Sequence, residues 1–203
     1  MPLTLSRVPG CGVSRRRLTQ WTRTSAQDRP SARRGATGSP TGAVYIDGKD
    51  GIEYAMNLRT GSQIWSFRLG SGNRDFHDIS KAVSEAALTG NKLLVCYAAK
   101  VFALNATTGA KLWRVKPGGS LGAGGNIQAS PAVAGPPNHR VLFAGDFNGD
   151  EFGLLVGNGS QVFAASPGGK LQASSAVAAG TLYFDSGGTL YAYAPPTGRH
   201  ASR

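Results

Sequence analysis

Ala55-Met-Asn-Leu-Arg-Thr-Gly-Ser-Gln-Ile-Trp65 is answered 48 residues later by Ala103-Leu-Asn-Ala-Thr-Thr-Gly-Ala-Lys-Leu-Trp113. The two stretches agree at Ala55 and Ala103, Asn57 and Asn105, Thr60 and Thr108, Gly61 and Gly109, and Trp65 and Trp113. Each follows an apolar run rich in strand formers, so one strand-turn-strand unit is written twice. A period of roughly 40–50 residues built from short strands is the pattern of β-propeller blades. The turn glycine supplies a positive φ, and the indole that follows has about 150–250 Å² to bury in the seam against the next blade. These ten residues are expected to be structural, with no catalytic residue among them.

Working outward, four units can be traced, at about 42–70, 80–116, 126–166 and 172–198. The first runs through Gly42–Ile46, turns at Asp47–Gly51, continues through Ile52–Asn57, turns at Arg59–Gly61 and returns through Gln63–Arg68. Asp-Gly between such runs signals a tight hairpin. The second offers Ser80–Ala87 as an inner strand, although Ile79–Leu88 also carries a weak helical period, then Lys92–Tyr97, Lys100–Asn105 and Lys111–Val115. The third is looser: Gln128–Ala134, Arg140–Ala144, Phe152–Val156 and Gln161–Ala164, with Phe163 where a tryptophan is expected. The fourth has Gln172–Ala178, Thr181–Phe184 and Thr189–Tyr193, and stops before a tryptophan position. The expected fold is all-β: a partial propeller of about four four-stranded antiparallel blades over residues 41–203.

Charge divides the chain. The formal net charge is +11, but residues 1–40 hold eight arginines against one acid, Asp28, while the remainder holds 14 basic against 10 acidic residues. Residues 1–40 have few large apolar side chains and no sustained period, which predicts a basic disordered leader that cannot offset its ordering entropy. Ser14-Arg15-Arg16-Arg17-Leu18 has the paired arginines of an export signal, yet polar Thr19–Pro30 follows where about 7–15 apolar residues are required. No compartment is therefore readable. The arginine cluster suits phosphate neutralisation by a nucleic-acid-binding arm, but the disordered leader is the favoured reading. Cys11 and Cys96 form no paired framework. No apolar run approaches the roughly 20 residues of a membrane-spanning helix.

Small-Ser-Pro-Ala-Val (Ala129–Val133), a Val/Leu-aromatic strand, an Asp/Gly turn, an aromatic-Ala-Leu-Asn strand, Thr-Gly and Trp together resemble the pyrroloquinoline-quinone-like (PQQ-like) β-propeller repeat, over about 43–198. The resemblance implies a relation to quinoprotein dehydrogenases, to the lipoprotein scaffold of outer-membrane protein assembly, and to sensor domains of bacterial kinases. Complete members usually carry seven or eight blades, so about four imply a fragment or half-propeller, with homodimerisation as one way to complete the ring. For the dehydrogenases the resemblance implies a quinone, a calcium ion held by Glu, Asn and Asp, a catalytic Asp and often a vicinal disulfide. Cys11 and Cys96 are not adjacent and no calcium-ligand motif is recognisable.

Other candidates are weaker. Asp146-Phe-Asn-Gly-Asp150 alternates oxygen ligands as calcium loops do, but Glu151 and Gly157 stand where the loop's glycine and glutamate belong, which favours a hairpin. Asp75-Phe-His-Asp78 could form a weak metal site, with a polar inter-blade loop favoured. His139 and His200 are isolated, and Gly118–Gly125 lacks the lysine of a phosphate loop. The expected function is a non-catalytic scaffold for protein interaction or ligand sensing that engages a protein partner, with no cofactor. The alternative is a fragment of a PQQ-dependent quinoprotein dehydrogenase, which alone would call for PQQ and calcium.

Overall fold

The architecture follows from how apolar residues alternate along short strands. A computed structural model describes residues 42–48, 50–71, 84–118 and 125–194, all in strands and turns apart from a single 3-10 turn at Pro137–His139. Blade 1 comprises β1 (Ala43–Asp47), β2 (Ile52–Asn57) and β3 (Gln63–Arg68). Blade 2 comprises β4 (Ala87–Thr89), β5 (Lys92–Tyr97), β6 (Lys100–Asn105) and β7 (Lys111–Val115). Blade 3 comprises β8 (Ala132–Ala134), β9 (Val141–Gly145), β10 (Glu151–Leu155) and β11 (Gln161–Ala165). Blade 4 comprises β12 (Ala176–Ala178), β13 (Thr181–Ser186) and β14 (Thr189–Tyr193). Every sheet is an antiparallel meander in chain order, so the chain is an all-β partial propeller.

Two of the sheets have three strands rather than the expected four. Register explains this: β1 is the counterpart of β5, and β14 of β6. Blade 1 therefore lacks an inner strand and blade 4 an outer one, at chain positions outside the described residues. The inner strand of blade 2 begins at Ala87, and Ser80–Val83 of the stretch expected to form it lie outside the described residues. Ala87 and Leu88, the end of the weakly helical stretch, are strand.

The middle strands of blades 2 and 3 have two buried faces, because those blades are sandwiched between neighbours. Thus β5 (KLLVCY) has no exposed residue: Leu93, Val95 and Tyr97 pack towards blade 1, Leu94 and Cys96 towards blade 3. The third seam holds Leu171, Leu182 and Phe184 with Phe143, Phe163 and Tyr193. Strands with two buried faces read as continuous apolar runs, which is why β5 looks so different from the outer strand β7.

Candidate functional site

The repeated phrase builds the joint between blades. Asn57 Oδ1 accepts from the Arg59 and Thr60 N–H groups at 2.9 and 3.0 Å, and Asn105 Oδ1 from Thr107 and Thr108 at 3.0 Å each. Thr60 and Thr108 Oγ1 accept from Ser62 and Ala110 N–H, both at 3.3 Å. Gly61 and Gly109 then adopt φ of 71° and 73°, a conformation that a β-carbon disfavours. Ala55 and Ala103 lie fully buried opposite Trp65 and Trp113, small enough to let each indole lie across its own sheet. One residue before each indole the register shifts, so that Ile64, Leu112 and, in blade 3, Val162 become bulges whose side chains are pushed towards solvent.

The indoles then cross the seam. Trp65 Nε1 donates to the Ala106 carbonyl at 3.0 Å, and its ring lies so flat on Gly109 that a methyl group there would come within 2.7 Å of it. Trp113 repeats this one blade on, donating to the Val156 carbonyl at 3.2 Å and lying on Gly159, where a methyl group would come within 3.0 Å. The turn glycine therefore does two things: it makes the turn, and it is the floor for the previous blade's tryptophan. Phe163 holds the tryptophan register in blade 3, opposite Gly153. With no N–H to donate, it packs edge-on against Tyr193 instead, 5.5 Å between centroids.

Sequence reading missed two buried acids at one repeat position. Glu53 in β2 and Glu151 in β10 each lie two residues before the residue opposite the blade's ring, Ala55 or Gly153; they pair across the sheet with Asp47 and Gly145 and are fully buried. Neither Glu53 oxygen has a hydrogen-bond partner among the described residues, and burial together with the Asp47 charge pushes its pKa up to about 8. Glu151 Oε1 accepts from the Ser175 hydroxyl at 2.6 Å, which partly opposes the burial that pushes it to about 7. Gly145 makes room for it, since a methyl group there would meet Glu151 Oε2 at 2.7 Å. The available signal was parity: Glu53 shares its face with buried Ala55, two residues along the strand.

The remaining candidates resolve by geometry. Asp146 spends its carboxylate on its own loop, accepting from Asn148 and Asp150 N–H through Oδ1 and from Gly125 N–H through Oδ2. That is a capped hairpin rather than a calcium loop. His139 ends the 3-10 turn and is exposed, while Cys96 is buried with its thiol pushed up to about 12, so it is not a nucleophile. Asp75, His77, Asp78, Cys11 and His200 lie outside the described residues. Among the described residues no three His, Cys, Asp or Glu side chains come together as a metal site. A cleft of about 560 Å³ opens between the rims of blades 2 and 3, lined by Asn91, Lys92, Asn105, Asn138 and Arg140 and by no acid. Its two cationic heads are engaged, Lys92 with the Val156 and Gly157 carbonyls at 3.1 and 3.3 Å and Arg140 with the Thr89 hydroxyl. No described helix is long and apolar enough to cross a membrane.

Comparison with known proteins agrees with this architecture. The chain is 29% identical over 130 residues to a quinoprotein ethanol dehydrogenase of Pseudomonas putida, across 62% of this chain but only 20% of that protein. Its fold is similar to BamB from Moraxella catarrhalis, with a TM-score of 0.57 and 21% identity over 74% of this chain and 42% of the other. It is also similar to the computationally designed Ika4 protein, with a TM-score of 0.58 and 14% identity over 79% of this chain and 94% of the design. A family model described as outer membrane protein assembly factor BamB matches residues 16–202, nearly the whole sequence, and the chain belongs to that family of PQQ-like propeller repeats.

Proposed function

We propose that this chain is a non-catalytic scaffold module that presents its open blades to a protein partner. The observation that carries the reading is the edge of β1, which among the described residues pairs only with β2. Val44 and Ile46 on that strand are 36% and 51% exposed, where their counterparts in blade 2, Leu93 and Val95, are buried. An unpaired edge flanked by apolar side chains accepts an extended segment by strand addition: main-chain hydrogen bonds supply affinity and the side chains supply choice. The family description, an assembly factor, supports the same reading. A second copy of the chain belongs among the candidate partners, because the far face of blade 4 leaves Leu190 71% exposed and could cover the open face of blade 1.

The test is affinity capture with the folded full chain as bait, followed by cross-linking mass spectrometry. A specific partner cross-linked beside β1, and lost with Ile46→Asp, is the expected result. Capture no greater than on blank resin, or capture indifferent to Ile46→Asp, overturns the reading.

A second reading, a piece of a quinone-dependent dehydrogenase, is favoured by the identity to the ethanol dehydrogenase. The described residues do not fit the cofactor well. Asp146 is occupied by its own turn, and Glu53 and Glu151 are buried in two different seams. Absence of bound-quinone absorbance after mixing the chain with PQQ and calcium would remove this reading.

A further inference from the structure

Each seam tryptophan needs a three-part seat on the following blade: a turn glycine with positive φ, the carbonyl three residues before it, and apolar side chains of the middle strands. Blade 1 carries such a seat on the face where no described blade precedes it. Gly61 has φ of 71°, and the Leu58 carbonyl is held by the bond that holds its counterparts. Leu58 N–H donates to Gly42 O at 2.8 Å, as Ala106 N–H does to Asn91 O at 3.0 Å and Val156 N–H to Arg140 O at 2.9 Å. Val44 and Met56 hold the registers that Leu93 and Leu104 hold beneath Trp65. Yet among the described residues nothing lies within 4 Å of a methyl group built on Gly61. Leu58 is 68% exposed, where Ala106 and Val156 are 1% and 6%.

We propose that this seat belongs to Trp21 of the same chain. The protein has three tryptophans, and the two within the described residues are both used this way. Trp21 precedes Trp65 by 44 residues, as Trp65 precedes Trp113 by 48. From tryptophan to receiving glycine the chain runs 40 residues for Trp21 to Gly61, against 44 and 46 for the two observed pairs. The family match begins at residue 16, which takes Trp21 into the repeat region. Thr19-Gln-Trp-Thr22 offers a β-branched residue on both sides of the indole, suited to a strand. The seated ring covers Gly61, its Nε1 donates to the Leu58 oxygen, and Leu58, Val44 and Met56 lose their exposure. Composition alone predicts a structureless leader here; a strand that docks on an existing platform need not bury a core of its own. The inference goes beyond the scaffold reading: it fills the face of blade 1 over Val44 and leaves the β1 edge open, so it is compatible with a partner at that edge and excludes a second copy covering that face.

The experiment is fluorine NMR of the full chain labelled with 5-fluorotryptophan, its three lines assigned by Trp21→Phe, Trp65→Phe and Trp113→Phe. The expected spectrum has the Trp21 line displaced from the free amino acid and lacking its H2O/D2O shift, as for the other two. Gly61→Ala should then move the Trp21 line most. Gly90→Ala, at another turn with positive φ and open space, should leave it in place. A Trp21 line at the free position with the full solvent shift, beside displaced Trp65 and Trp113 lines, overturns the proposal and leaves the seat to a partner or a second copy. A Trp21 line unmoved by Gly61→Ala overturns it too, as does a spectrum with all three lines at the free position.

Discussion

One glycine hydrogen separates a closed seam from an open one. At Gly109 the Trp65 ring lies where a β-carbon would be, and the backbone also has positive φ, so Gly109→Ala meets both a clash and backbone strain. Gly90→Ala meets only the strain. We expect Gly109→Ala to cost about 2–4 kcal/mol in urea unfolding and Gly90→Ala about 1 kcal/mol. Trp65→Phe should cost less than Trp65→Ala, whose cost is about 3–5 kcal/mol, because it keeps most of the ring and loses the hydrogen bond to Ala106. Glu53 gives a test by pH. Its folded pKa of about 8 lies above the 4.5 of the free group, so the folded state holds a proton that the unfolded state releases. Stability from this group is complete below pH 4.5, declines as pH rises through that window and is lost above about 8. Glu53→Gln keeps the shape without the titration. The variant should match the wild type near pH 4.5 and exceed it at pH 8 by on the order of 4 kcal/mol, read from thermal unfolding at each pH. Equal pH slopes for the two proteins would contradict this.

At the scale of the strand and turn, most of the fold was legible. The boundaries of β2, β3, β5, β6 and β7 follow directly from where apolar runs meet Asp-Gly and Thr-Gly. Inner strands were less legible, because three residues such as Ala87–Thr89 carry no period of their own and are held by the neighbouring strand. The Asp146 loop shows the converse: alternate oxygens suit a calcium loop as well as a capped turn, Glu151 and Gly157 favour the hairpin, and the direction of the Asp146 side chain decides for it. For the Thr-Gly turn, Asn105→Ala removes both side-chain bonds that hold the Thr107 and Thr108 N–H groups. We expect a loss of about 1–2 kcal/mol in chemical denaturation, with far-UV circular dichroism unchanged. An Asn105→Ala protein as stable as the wild type would mean that water replaces the side chain at that turn.

On the scale of the molecule, two sheet faces carry the patterns of seams with no other described blade packed on them. Leu190 and Ile46 occupy registers that are buried between blades elsewhere, at Val101 and Val95. If two copies meet head to tail through these faces, light scattering of the full chain gives a dimer mass at micromolar concentration, and Leu190→Asp returns it to a monomer. A monomer mass for both proteins would mean that the faces are covered within one chain or left for another partner.

The amino-acid order by itself determined the blade: the repeat period, the turn chemistry of Asn, Thr and Gly, and the alternation that gives each strand its two apolar faces are local properties written within about 50 residues. It also determined that Trp65 and Trp113 play one role. What that role consists of was decided by tertiary structure, because the acceptor carbonyl and the glycine floor lie on the next blade, more than 40 residues along the chain. The same holds for Glu53 and Glu151. Strand parity places Glu53 on the face of Ala55, but only the packing of one blade on another removes the water from these acids and moves their protons.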